Sequence, residues 1–453
     1  MSEKNVNTAP APAAGAIDPI FRKTGYAWYV LTLLTVVYVF NFIDRNILAI
    51  LGQSIKDELG ITDTAFGFLG GIAFAFFYTF LGIPIARLAD KRSRVTILSV
   101  CLAIWSGMTA ICGFAQNFWM LLAARIGVAV GEAGGSPPSH SIISDLFPPE
   151  KRATALGIYA LGIPIGSAIG FLAGGWVNEF FGWRMAFFVI GAPGLLLALF
   201  VYLTVREPPR GMSETKSNSG LESAVGVGAE EAPPVKEVLV HLWSLRSFRY
   251  LSVAGALHAF VGNGVGLYIP MMFERTHGLG TGEIGTWLFG LGLFGMLGTF
   301  GGGYLCDRFG ARDERWYLWL PGIATLLHVP FACFTYLWHD PRVALSVYAI
   351  AYVLGHCYLA PTFAMTQGLV HVRMRALAAS ILLFILNIIG LGLGPQITGL
   401  LSDVVNNTTS LGVDSLRWAM VLVLVFNVIS ALLYLRAGSF LRGDLASVRS
   451  TAP

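Results

Sequence analysis

The sequence predicts an all-α membrane protein whose twelve transmembrane helices form two pseudo-symmetric six-helix bundles, and three observations carry that prediction. The 453 residues are 55% hydrophobic and only 12% charged, whereas soluble domains run at about 45–50% apolar and about 25% charged. Twelve apolar runs of helix length divide the chain, and its Lys and Arg residues gather in alternate connections between those runs.

The runs fall at 26–51, 65–88, 95–115, 118–146, 152–177, 183–204, 250–273, 282–305, 316–337, 343–369, 376–401 and 417–437. Each meets the roughly 20 residues that a helix needs to cross about 30 Å of hydrocarbon. In lipid every backbone amide must find its partner internally, which favours helices, and the absence of period-two alternation disfavours a barrel. The 53 glycines suit close helix packing. Assigning connections to alternate sides puts 23 of the 30 Lys and Arg on the side of both termini and five opposite, the remaining two lying inside spans. That bias marks the terminal side as cytoplasmic. The expected location is a multi-pass protein of a bacterial inner membrane.

The division expected along the chain is a cytoplasmic tail over 1–25, a first bundle over 26–204, a linker over 205–249, a second bundle over 250–437 and a second tail over 438–453. The linker is rich in Ser, Gly, Glu and Pro, with a surface helix near 235–243. Leu88-Ala89-Asp90-Lys91 after the second run is echoed by Leu305-Cys306-Asp307-Arg308 after the eighth, and Lys151-Arg152-Ala153-Thr154-Ala155 by Met374-Arg375-Ala376-Leu377-Ala378. Matching positions in both halves indicate a duplicated six-helix unit. The five cysteines include no CxxC pair, and no metal-ligand spacing, phosphate loop or nucleophile–base set is present. No cofactor, metal or enzymatic activity is expected, and no basic stripe points to nucleic acid.

Four formal charges lie well inside the runs: Asp44 and Arg45 in the first, Arg125 and Glu132 in the fourth. A charge in hydrocarbon costs about 2.5–3.5 kcal/mol on insertion scales, so such residues usually serve function. Asp44 and Arg45 are about 100° apart on a helix and cannot face the same way. One is expected to enter a central cavity and the other to meet a neighbouring span; the bland alternative is a boundary pair snorkelling to the interface. Arg125 and Glu132 share a face about 10 Å apart along the axis, so their partners are expected across the cavity, chiefly Asp44 or Arg45. A structural ion pair stapling spans one and four is the alternative. Pro137 and Pro138 remove two backbone donors just past Glu132 and should bend span four; Pro164 lies in the glycine-rich span five.

Gly82-Ile-Pro-Ile-Ala-Arg87-Leu-Ala-Asp90-Lys91-Arg92-Ser-Arg94 resembles the loop 2–3 signature of the major facilitator superfamily. Asn41-Phe-Ile-Asp44-Arg45, Arg125-Ile-Gly-Val-Ala-Val-Gly131-Glu132-Ala133 and Ile163-Pro164-Ile-Gly166-Ser167 are most similar to its Spinster group. The resemblance covers most of the first half and implies that superfamily's two-bundle fold, in which spans 1, 4, 7 and 10 line a cavity. It implies gating by Gly82, Arg87, Asp90, Arg94, Asp307 and Arg308, whose charges would latch the halves together at the cytoplasmic ends while the cavity opens outward and part as it rocks inward; plain positive-inside topology is the alternative for the arginines. It also directs attention to His258 and Asn263 on span seven, although a membrane histidine is more often bonded to a neighbouring helix.

These residues together imply a proton-coupled carrier of an amphiphilic anion, such as a lysolipid or sphingolipid-like molecule. Asp44 and Glu132 would take the proton; Asn41, Arg45, Arg125, His258 and Asn263 would line the substrate site. Protonation of either acid would free an arginine for an anionic headgroup. A carrier of small organic anions or drugs is the alternative within transport, and a non-transporting receptor or scaffold the alternative outside it. The expected partners are the substrate, protons and membrane lipids, with the chain a monomer.

Overall fold

The computed structural model describes residues 19–22, 24–215 and 234–450. Most of the tail expected at the start, the middle of the expected linker and the last three residues lie outside them. Among the described residues the regular structure is helical throughout, without a strand. Eleven helical stretches are long and apolar enough to cross a membrane, and one of them, Pro149–Thr204, has 56 residues. That stretch holds two passes. Its helix Gly162–Thr204 turns at Gly182, whose φ of 81° and ψ of 164° are open to glycine and strained for any side chain. Twelve passes result.

The passes are not smooth rods, and each interruption has a local cause. The first helix, Thr24–Ile50, gives way at Leu51 to a short amphipathic helix, Gly52–Leu59, closed by the left-handed Gly60. Thr62 caps the next helix by accepting from the Ala65 amide. That span, Asp63–Gly70 and Ile72–Lys91, breaks at Gly71. Span four stops at Glu132 and resumes as Ser136–Leu146, with proline in its first turn. Span eleven widens to a π-helix over Leu386–Leu393.

Within the first half, span one packs on the helix Gly162–Thr204, which also packs on span three; within the second, spans seven and nine pack on span twelve. The halves meet where span two lies against span eleven, span five against span eight, and span one against span seven. The contact between spans five and eight is backbone on backbone: a Cβ added at Gly285 would strike the Phe171 carbonyl, and one at Gly175 the Thr281 carbonyl. Small residues here are a condition of the approach, as expected where no hydrophobic force drives helices together in lipid.

Two segments differ from the sequence expectation. Residues 205–215 are not a loose linker. Met212 is buried, the Gly211 amide donates to Asp145, and Ser213 donates to the Ser144 carbonyl, so the strap is bound to the end of the first half. The last span does not stop at 437: the helix Val425–Ser450 continues, and Leu441 and Leu445 stay buried in the second half's core. The expected surface helix is present as Val235–Ser244.

Candidate functional site

The intramembrane charges converge between spans one, two and four. Arg45 donates through Nε to Glu132 Oε2 at 2.7 Å. Asp44, Arg125 and Glu132 are 1–2% exposed, while the Arg45 side chain retains 20%. The adjacent pair therefore does diverge: Arg45 reaches the accessible interior and Asp44 turns into the packing beside Thr109. Arg125 donates through Nη1 to the Asp44 backbone carbonyl at 3.4 Å. Asn41, 4% exposed, lies beside Glu132.

Aromatic faces fill the space around the two guanidinium groups. The Arg45 guanidinium stands 4.4 Å from the Tyr78 ring centroid, 5.1 Å from Phe42 and 5.4 Å from Phe74. Arg125 lies 5.2 Å from the same Phe74 ring. Ring quadrupoles attract cations, and the attraction grows when water is excluded. Phe74 thus buffers two like charges. Thr109 stands beside the Asp44 carboxyl and Asn41 beside that of Glu132. With two acids and two arginines the cluster is neutral in sum, which makes its burial tolerable.

The second half contributes differently from the sequence expectation. His258 is 3% exposed and sits between helices: its Nε2 meets the Gly355 carbonyl at 2.8 Å, and its Nδ1 meets Thr325 Oγ1 at 3.1 Å. With both ring nitrogens engaged it is a packing residue here, not a free substrate ligand. Asn263 donates back to the Ala259 carbonyl of its own turn. The four intramembrane charges all belong to the first half, as do the rings around them.

The gating residues also divide. Arg94 was expected to latch the two halves; it is 1% exposed and bound wholly within the first. It donates to Glu207 Oε1 at 2.7 Å, Ser141 at 2.8 Å and the Pro208 carbonyl at 2.6 Å, and pairs with Asp145. Gly82 is half-buried in span two, and Arg87 and Asp90 toward its end are exposed. Asp307 accepts from Tyr317 at 2.8 Å in its own half. Among the described residues no ion pair joins Arg87, Asp90 or Arg94 to Asp307 or Arg308. Pro137 and Pro138 stand in the first turn after the break in span four, and Pro164 in the first turn of the helix Gly162–Thr204.

Removing Arg94 would leave Asp145 and Glu207 uncompensated, so Arg94→Gln should lower stability by about 3–5 kcal/mol, read as a fall in the melting temperature of the detergent-purified protein. Burial pushes the Glu207 carboxyl up, but the Val95 amide, Arg94 and Ser93 outweigh it and hold it below its usual 4.5. The strap's contribution is therefore complete above that value and drains as pH falls through the depressed one.

The closure that the structure does contain is at the opposite end, and it was not anticipated. Asp63, 3% exposed at the start of span two, receives a two-pronged contact from Arg275 of span seven: Nη1 to Oδ2 at 2.8 Å and Nη2 to Oδ1 at 2.6 Å. Lys56 pairs with the same carboxylate, and Ser402 of span eleven donates to it at 2.6 Å. Asp403 in turn accepts from the Thr64 amide at 2.8 Å, while Tyr268 donates to the Asp63 carbonyl at 2.7 Å. Beside it Asn178 of span five donates to Thr281 of span eight at 3.2 Å. Only Thr62 before Asp63, a capping pattern, gave a local signal; apart from Lys56, the partners Arg275, Tyr268 and Ser402 lie more than 200 residues away.

A sequence model of the Major Facilitator Superfamily matches residues 34–384. The chain is 32% identical over 426 residues to an MFS-type efflux pump of Mycolicibacterium smegmatis, covering 92% of this chain and 94% of the other. It is 26% identical to a probable sphingolipid transporter, spinster homolog 1, of Arabidopsis thaliana, with 79% of each chain covered. Among solved structures, a bacterial homologue of the human lysosomal transporter Spinster, in an inward-facing and unoccupied conformation, superposes with a TM-score of 0.84 at 33% identity, over 93% of this chain and 99% of that one.

Proposed function

Because the chain belongs to the Major Facilitator Superfamily, with Spinster proteins among its relatives, we infer that it carries an amphiphilic anion across a bacterial inner membrane by alternating access, coupled to protons. The observation that carries this reading is the Arg45–Glu132 pair: a fully buried carboxylate held at 2.7 Å by a guanidinium that is still partly accessible. A proton on Glu132 weakens its hold on Arg45. An arriving phosphate or carboxylate then takes that guanidinium in a charge-assisted contact. Proton and anion favour the same state, which is the condition for coupling.

The side with most Lys and Arg is assigned as cytoplasmic, which places the Arg94 end inside and the Asp63 end outside. With the outer end latched, the cavity faces inward, and rocking about the contacts between spans two and eleven and between spans five and eight would expose it to the other side. The aromatic and aliphatic wall suits an apolar tail, which favours a lysolipid or sphingolipid-like cargo. The likeness to an efflux pump supports a second reading, a carrier of small organic anions or drugs. Purified protein in liposomes, supplied with a panel of lysolipids, sphingoid phosphates and small anions under an imposed pH gradient, separates the two. Gradient-driven movement of lipids alone supports the first reading. Movement of small anions alone supports the second, and no gradient-dependent flux of either discards the coupling.

A further inference from the structure

The helix Val235–Ser244 precedes span seven, which begins at Arg246 after a single intervening residue. Its residues divide the helix surface into three sectors at about 100° per residue. Val238 and Leu242, both fully buried, face the second half's core. Glu237 and Ser244 form a polar wedge. Between them Val235, Leu239, Val240 and Trp243 are 59%, 42%, 60% and 50% exposed. The apolar arc continues from the protein-facing sector into the exposed one without a polar break other than Lys236, whose long side chain can snorkel.

A helix that served only to pack on the second half would not continue its apolar face beyond the contact. Span seven begins directly after the buried Leu245, so the exposed sector stands at the mouth of that span. Exposed cations flank it: Lys236, Arg246 and Arg249. The Arg246 guanidinium lies 5.5 Å from the Phe440 ring centroid, on which Tyr250 also stacks at 5.6 Å. A Trp with neighbouring Tyr, Lys and Arg at the mouth of a span is the composition of a membrane–water boundary. We propose that Val235–Ser244 lies in the plane of the lipid leaflet, with Val235, Leu239, Val240 and Trp243 in the acyl boundary and Lys236, Arg246 and Arg249 at the headgroup phosphates. The occupant of the exposed arc is lipid, not protein.

The test is spin-label depth in the full chain, reconstituted in vesicles of phosphatidylcholine and phosphatidylglycerol. Val240→Cys and Glu237→Cys are labelled separately, with wild-type protein treated alongside to subtract the native thiols. The Val240 label should relax several-fold faster with dissolved oxygen than with an aqueous nickel chelate, and the Glu237 label should show the reverse. Equal aqueous access at both positions overturns the proposal. Protection of the Val240 label from both reagents also overturns it, since a protein segment or second copy would then cover the arc. Lys236→Glu with Arg249→Glu should shift the Val240 label toward water; an unmoved label sinks the headgroup contact. None of these outcomes depends on what the protein carries.

Discussion

Glu132→Gln should abolish the dependence of transport on a pH gradient while leaving the protein folded. Glutamine keeps the size of the side chain and an oxygen for the Arg45 Nε–H, now 2.7 Å from Glu132, but it carries neither the charge nor a removable proton. The arginine left behind is 20% exposed and keeps an oxygen to meet, so the effect is expected on transport rather than folding: flux under a pH gradient should fall to the level seen without one. Substrate binding should persist and lose its pH dependence, because Arg45 is then permanently released. Liposome flux across imposed gradients, paired with binding measured over a range of pH, checks both halves of the expectation. An unchanged pH profile removes Glu132 from the coupling. Asp44→Asn is the companion variant: Asp44 is 1% exposed and touches no accessible surface, so its loss should cost stability as well as flux.

Asp63→Asn should release the closed end. The carboxylate holds Arg275 by two hydrogen bonds, pairs with Lys56 and accepts from Ser402. Asparagine offers one acceptor oxygen, so the two-pronged contact is lost and Arg275 is left buried without its charge partner. Losing one partner of such a pair costs about 3–5 kcal/mol, and moving a two-state equilibrium from 1:99 to 99:1 takes about 5.5 kcal/mol. The variant should therefore populate the form open at the Asp63 end to a large extent. Double electron–electron resonance between nitroxides on the exposed Glu58 and Val413, one in each half, should show a longer distance becoming dominant, with net flux falling at least tenfold. A distance distribution matching the wild type would remove Asp63 from the latch. Ser402→Ala, which deletes a single neutral donor, should shift the distribution only slightly, by about 1 kcal/mol.

Which features could be read from the chain depends on how local their cause is. Twelve apolar runs and the bias of basic residues are properties of consecutive residues, and the passes follow them closely; even the turn between spans five and six falls at Gly182, inside the gap left between 177 and 183. The four buried charges stood out for the same reason, since hydrocarbon makes each one costly wherever it occurs. One partnership was legible as well: Arg125 and Glu132 sit too far apart along their own helix to pair, which left Asp44 or Arg45 as partners, and Arg45 does take Glu132. Which of the two adjacent residues does so depends on how spans one and four rotate against each other, which neither span encodes alone. The latch was missed because Lys56 and Arg275 look like ordinary loop cations until folding brings them to Asp63. The strap that holds Arg94 in this form was not legible, because a basic residue at a span end satisfies topology equally well whether it faces water, the other half, or a segment that returns from residue 207.

Where spans five and eight cross, peptide groups touch with no side chain between them at Gly175 and Gly285. Such a bearing has no rotamers to adjust and almost no compressible material, so a rocking motion there resembles a hinge of fixed pitch. Mutational drift cannot retune its resting angle gradually: a methyl group at either glycine meets a carbonyl at once. Whatever change the sequence accepts must therefore fall elsewhere than this crossing.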